Sequence, residues 1–236
     1  MALVTGAGHR LGRAFALALG ARGLTVAVHY NSAADEAEDT VRLIRAAGGA
    51  ADTFQADLSI PGAAEALIDA VSEKHRALDV LVNSAAVMLR TPVGEVTLSD
   101  WDSIFALNVR APFMLSQSAA RIMREGSTII NIADLAAFDT WPAYVPHAIS
   151  KAAVVKMTES LARVLAPRIR VNAIAPGAVL MPEGWDESRT SRLIATTPLK
   201  RIGDPKDVVS ALLFLLDSDF VTGETIVVDG GRRIRK

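Results

Sequence analysis

Cysteine is absent from all 236 residues, which excludes disulfides and thiolate metal centres and suits a reducing, cytoplasmic setting. Neither sign of charge dominates. The 25 Lys and Arg stand against 26 Asp and Glu, so the chain lacks the basic field that nucleic acid requires. Long apolar runs are missing too: the longest, around Ala211 to Leu216, is far too short to cross a bilayer. The opening Met-Ala-Leu-Val-Thr-Gly has neither the basic flank nor the apolar stretch of a secretion signal, and reads as a strand. No group of histidines and carboxylates has metal-ligand spacing, so no metal is expected. These absences predict partners that include no nucleic acid and no membrane.

Apolar residues are plentiful at 50%, enough for a sizeable core in a single domain covering 1–236. Short β-branched runs at 2–5, 25–30, 51–56, 78–83, 127–133, 170–175 and 225–228 read as strands. Near-continuous apolar runs of this kind suit parallel strands covered on both faces. Amphipathic patterns at 11–23, 33–47, 61–75, 98–124, 147–166 and 205–217 read as the helices between them. The alternation runs the whole length without repeat or linker. It predicts an α/β, doubly wound (Rossmann) fold, a mostly parallel seven-stranded sheet with helices on both faces.

The first strand leads into Thr5-Gly6-Ala7-Gly8-His9-Arg10-Leu11-Gly12 and then a helix. A glycine-bearing turn there lets backbone approach a pyrophosphate, and the helix start supplies free N–H groups and a positive dipole end. Gly6, His9, Arg10, Leu11 and Gly12 are therefore candidate cofactor ligands. The second strand ends in His29-Tyr30-Asn31-Ser32, where an NAD site normally carries an acid for the ribose. The next acid, Asp35, falls inside the following helix. Tyr30, Asn31 and Ser32, with His9 and Arg10 opposite, suit a 2′-phosphate, which favours NADPH (NADP) over NADH. The plainer alternative is that His29 and Tyr30 only pack at a strand end.

His147 and Lys151 are four residues apart, which stacks them one turn apart on a single helix face. An isolated imidazole exchanges protons near neutral pH, where a phenol does not. Tyr144 lies two further turns' worth of residues before Lys151. Pro146 argues against a helix extending back to it, because proline disfavours helical geometry at the preceding residue and suits a first turn.

The stretch Asp134 to Lys151 resembles the active site of the short-chain dehydrogenase/reductase family, whose signature is Tyr-x-x-x-Lys preceded by a serine. In that resemblance His147 occupies the tyrosine place, Asp134 the serine place and Lys151 the lysine that binds the nicotinamide ribose. Asn108 matches the family asparagine that holds a water relay. The turn Thr5–Gly12 is similar to the family's glycine motif with Arg10 at the middle glycine. Asp57 and Leu58 match residues beside the adenine, Asn83-Ser84-Ala85 the strand end that passes close to the cofactor, and Pro176-Gly177 the border of the nicotinamide. Arg10-Leu-Gly, Arg110-Ala-Pro-Phe113, Asp134 and the run from Pro176 to Gly184 look like the pteridine reductase branch, which reduces C=N bonds of pterins or folates. The resemblance implies an NADPH-dependent oxidoreductase with catalytic residues Asn108, Asp134, His147 and Lys151. The alternatives are a reductase of 3-oxoacyl thioesters or other carbonyls, and a catalytically silent dinucleotide-binding protein.

Trp141, Trp185 and Met181 are candidate pocket walls, and the polar stretch 181–198 resembles the family's substrate lid. His75 and the basic tail from Arg232 onward read as solvated. Surplus apolar positions along 98–124 and 147–166 predict a homo-oligomer, and the resemblance implies a homotetramer or homodimer acting on a small-molecule substrate.

Overall fold

The computed structural model describes residues 1–181 and 186–234. Its centre is a seven-stranded sheet in the order β3-β2-β1-β4-β5-β6-β7. The strands are β1 (Ala2–Val4), β2 (Val26–Tyr30), β3 (Ala51–Gln55), β4 (Leu78–Asn83), β5 (Met123–Ile132), β6 (Ile169–Pro176) and β7 (Thr225–Val228). Every pairing is parallel. All seven carboxyl ends therefore open on one edge, and the strand order reverses between β1 and β4, where such sheets hold ligands.

Successive side chains point to opposite faces. Ala2 and Val4 pack with Phe15 and Leu19 of α1 (Arg10–Ala21), Val41 and Ile44 of α2 (Ala34–Ala46), and Leu212 and Leu215 near the carboxyl end of the chain. Leu3, between them, packs on the other face with Leu67 and Val71 of α3 (Ala63–His75). Burial on both faces explains why the central strands β1, β2 and β4 are largely apolar rather than alternating.

The helix expected over 98–124 is interrupted. α4 (Leu98–Phe105) passes into one π-helical turn, Ala106–Arg110, before α5 (Ala111–Ala119). Pro112 has no N–H to offer the carbonyl of Asn108, and a lost bond of this type accompanies a wider turn. α5 ends early, and residues from Met123 belong to β5, which is longer than expected because Met123 pairs with Leu78 ahead of a bulge. α6 (Val145–Leu165) starts two residues before its expected start, with Pro146 in its first turn.

α7 (Glu187–Thr196), inside the expected lid stretch, buries no residue and so had no apolar stripe to reveal it. Asp186 caps it by accepting from the Arg189 N–H at 2.7 Å. α8 (Pro205–Asp217) closes the helical layer over β1 and supplies Leu212 and Leu215. Trp185, Pro182 and Gly184 lie outside the described residues.

Candidate active site

The glycine turn divides its donors between the sheet and the crevice. Thr5 N–H bonds the Val82 carbonyl at 3.0 Å and Ala7 N–H the His29 carbonyl at 2.8 Å. Gly6 N–H bonds the Nδ1 atom of His29 at 3.1 Å. Those inward groups are satisfied. The first-turn N–H groups of α1, at Leu11 and Gly12, have no partner within a helix, and no side chain caps this end. A β-carbon on Gly12 would lie 2.1 Å from the Gly6 oxygen, so only glycine lets the turn close on the helix. The result is an uncapped backbone cradle, free of acidic residues in its first turn, which fits a pyrophosphate.

Arg10 takes the middle-glycine place with φ of +53°, a left-handed conformation that costs a side-chain-bearing residue about 1–2 kcal/mol. The backbone keeps the shape a glycine adopts freely. The exposed guanidinium donates to the Leu180 carbonyl at 2.9 Å, so it spans the space between the turn and the segment after β6.

At the second strand end Asn31 and Ser32 are exposed, and Asp35 sits in the first turn of α2. No acidic side chain therefore stands at the ribose position. Asp57 accepts from the Ser59 N–H at 2.9 Å and its hydroxyl at 2.6 Å, which holds its pKa below the usual carboxylate range, and Leu58 is buried. The Ser84 and Ala85 N–H groups both bond Thr5 Oγ1, at 2.9 and 3.0 Å. At Asn83 only the backbone faces the crevice side of this strand end. Its side chain turns into the protein and donates to Ser116 Oγ at 3.2 Å and Asn131 Oδ1 at 2.8 Å. Its place at a strand end was legible, but not which way the amide points. Pro176 ends β6, and Gly177 passes so close to Asp229 that a β-carbon would lie 2.8 Å from that backbone.

Four expected catalytic residues come together at the ends of β4, β5 and α6. Asn108, in the π turn, clamps the Val87 peptide: Oδ1 accepts from Val87 N–H and Nδ2 donates to its carbonyl, both at 2.9 Å. Nδ2 also reaches Ser150 Oγ at 3.0 Å. His147 is buried beside it, with Nδ1 3.3 Å from the same Val87 carbonyl. A carbonyl only accepts, so that contact places the hydrogen of a neutral His147 on Nδ1. Nε2 is buried with no hydrogen-bond partner among the described residues, and lies 3.7 Å from Asp134 Oδ2. Asp134 is fixed from below by accepting the Ala136 N–H at 2.8 Å. Lys151 donates to the Ile132 carbonyl at 2.9 Å; burial lowers its pKa to about 8, opposed by the Asp134 carboxylate.

Trp141 stacks parallel to His147, whereas Tyr144 is the N-cap of α6 and off its face, as Pro146 implies. Tyr144 faces the Trp141 ring edge-on at 6.3 Å.

A family profile described as Enoyl-(Acyl carrier protein) reductase matches residues 6–233. An uncharacterised oxidoreductase of Methylorubrum extorquens is 37% identical over 242 residues, covering 99% of this chain and 97% of that protein. The chain belongs to the short-chain dehydrogenase/reductase family. It is accordingly an NAD(P)-dependent oxidoreductase. Among solved structures of short-chain enzymes, FolM alternative dihydrofolate reductase 1 from Brucella canis, complexed with NADP, superimposes with a TM-score of 0.94 at 31% identity, covering 100% of this chain and 94% of that one. The angucycline C-6 ketoreductase LanV with bound NADP gives 0.93 at 33% identity, covering 99% and 95%.

Two further expectations for this short-chain enzyme need correction. His75 is not solvated: its Nε2 is 3.3 Å from Asp52 Oδ2 and its ring faces Phe54. Arg232 and Arg233, which open the basic tail, are docked rather than free, and residues 235 and 236 lie outside the described residues. Arg232 reaches Thr196 Oγ1 at 3.2 Å, and the Arg233 guanidinium sits 4.3 Å over the Phe138 ring, on the loop that follows Asp134. Neither contact has a local sequence signal, because the partners are remote in the chain.

Proposed function

We propose that this enzyme uses NADPH to reduce a C=N or C=O bond of a small planar substrate, a pterin or folate being favoured, with His147 standing where the family's proton-donating tyrosine does. The observation that carries the reading is His147 Nε2, a buried and unpartnered atom beside the Asp134 carboxylate and one helical turn from Lys151. In the doubly protonated ring, Nε2–H is the group free to donate. After it gives its proton to the substrate nitrogen or oxygen, the remaining hydrogen is the Nδ1 one already facing Val87. Asp134 offsets the ring's charge before transfer and holds the substrate edge. Lys151 binds the nicotinamide ribose. Asn108 keeps its own carbonyl available for a water that returns the proton, since Pro112 cannot occupy it.

Bound in this crevice, NADPH supplies the hydride. The residues that hold it are the Gly6 turn with His9, Arg10, Leu11 and Gly12 at the phosphates, and Tyr30, Asn31 and Ser32 at the 2′-phosphate. Asp57 and Leu58 flank the adenine, Ser84 and Ala85 line the crevice with the Asn83 backbone, and Pro176 and Gly177 border the nicotinamide. NADPH is supported by the missing acid at the second strand end and by the NADP carried by both solved relatives. Asp134 and the likeness to an alternative dihydrofolate reductase favour C=N reduction. The likeness to an angucycline ketoreductase supports a second reading, reduction of a polycyclic ketone. Oxidation of NADPH, followed at 340 nm with dihydropterin, dihydrofolate and polycyclic ketones in turn, tests the assignment. Turnover only with ketones selects the second reading, and tight NADPH binding without turnover on any of them selects a silent dinucleotide-binding protein. We further propose a cytoplasmic homodimer or homotetramer.

A further inference from the structure

His29 is 2% exposed and takes no part in the proton chemistry. Its two ring nitrogens nevertheless meet two different strand ends. Nδ1 lies 3.1 Å from the Gly6 N–H, and Nε2 3.0 Å from the Ala56 carbonyl. A backbone N–H only donates and a carbonyl only accepts, so these partners require an unprotonated Nδ1 and an Nε2–H. One neutral tautomer satisfies both, and no other does. The residue's own carbonyl accepts the Ala7 N–H at 2.8 Å. Two successive amides of the glycine turn thus hang on this single residue. Gly6 has no slack in which to shift, since it holds φ of +64° and an added β-carbon would come within 3.1 Å of Ala85 Cα. Among the described residues, the charged group acting on the ring is Asp57, at the following strand end.

We infer that His29, in its neutral Nε2–H tautomer, is a positioning residue for dinucleotide binding: it holds the Gly6 amide inward so that the first-turn N–H groups of α1 face the phosphates. This rests on reading the turn as the NADPH cradle. A phosphate-facing turn with its inner amide loose must be ordered at the moment of binding, and that cost appears as weaker affinity.

Two substitutions separate this role from general packing. In His29→Asn the side-chain oxygen falls near the former Nδ1 and still accepts from Gly6, while the Ala56 bond is lost. In His29→Gln the amide nitrogen falls near the former Nε2 and still donates to Ala56, while Gly6 is left without an acceptor. NADPH dissociation constants by fluorescence titration are expected to stay within about threefold of the parent for His29→Asn and to rise about tenfold or more for His29→Gln. Hydrogen exchange at the Gly6 amide is expected to stay slow in His29→Asn and to become fast in His29→Gln, with urea stabilities lowered alike in both. Equal affinities and equal Gly6 protection in the two variants would overturn the inference. If the parent binds no NADPH, the cofactor reading fails by itself, and the Gly6 exchange rates still decide whether His29 holds the turn.

Discussion

The indole of Trp141 lies parallel to the imidazole of His147, with 16° between the planes and 6.5 Å between centroids. It flanks a buried imidazole whose Nδ1 faces the Val87 carbonyl. His147→Phe is expected to lower kcat by at least about a hundredfold, the usual size of a lost general acid, while leaving NADPH affinity within a few-fold. His147→Tyr restores the family's donor beside Lys151 and is expected to keep turnover. Tyr144→Phe is expected to change kcat less than fivefold, roughly within 1 kcal/mol. Steady-state kinetics of the three variants check this. Full activity in His147→Phe together with a dead Tyr144→Phe would move the acid to Tyr144.

Cofactor preference follows from the exposed, acid-free end of β2. NADPH is expected to bind at least tenfold more tightly than NADH, a gap of about 1.4 kcal/mol. Isothermal titration with both cofactors measures it. Equal affinities would remove the role given to Arg10, Asn31 and Ser32.

Acid stability reports on His29. Burial lowers its pKa to about 4 from an ordinary 6.5. Between those values the unfolded chain binds more protons than the folded one, so stability falls as pH drops from about 6.5 to about 4. The contribution of this one group reaches about 3 kcal/mol at the bottom of the window. Urea unfolding at pH 4.5 and pH 7 reads it as a difference between the parent and His29→Asn, in which the carboxylates common to both cancel. A parent with the same pH dependence as the variant would show that His29 titrates normally.

Lys151 works in the opposite region of pH. Its pKa of about 8 lies below the ordinary 10.5, so the folded form gives up its proton first and stability rises from pH 8 towards 10.5. Removing the buried ammonium in Lys151→Met is expected to stabilise the protein at pH 7. The gain is on the order of 1 kcal/mol, reduced by the donor lost at the Ile132 carbonyl. The same change is expected to abolish tight NADPH binding. A destabilised Lys151→Met would show that the hydrogen bond lost at the Ile132 carbonyl outweighs the cost of burying the ammonium.

Assembly is expected through α4, α5 and α6, where Phe113 is 42% and Val164 71% exposed in the single chain. An apolar groove between these helices also includes Met157 and Leu161. Light scattering at micromolar concentration should give a dimer or tetramer mass, and Val164→Glu should shift it towards monomer. A monomeric parent would leave that face without an occupant of its own kind.

Much of this arrangement was readable because parallel strands advertise themselves. β4 and β7 match their expected bounds, and the helical spacing of His147 and Lys151 survives in α6. What was not readable depended on partners far along the chain. The Asn83 amide turns towards Ser116 and Asn131 because two other elements offer it bonds there. The π turn is visible only once Pro112 is paired with the carbonyl it fails to serve. Arg233 looked like a loose cation until Phe138, 95 positions earlier, was found beneath it.

The hydroxyl of Thr5 accepts two amides from residues 79 and 80 positions further on, and this has a bearing on how the protein is built. Although the glycine motif is complete by residue 12, its floor is laid only when β4 docks beside β1. A chain stopped short of Ser84 carries the recognisable motif and no finished cradle. Closing so long a loop is slow compared with forming α1 or α2. If the proposed cradle is the cofactor site, early intermediates offer it only in part, and adding cofactor during refolding should shift the final equilibrium without hastening the first steps.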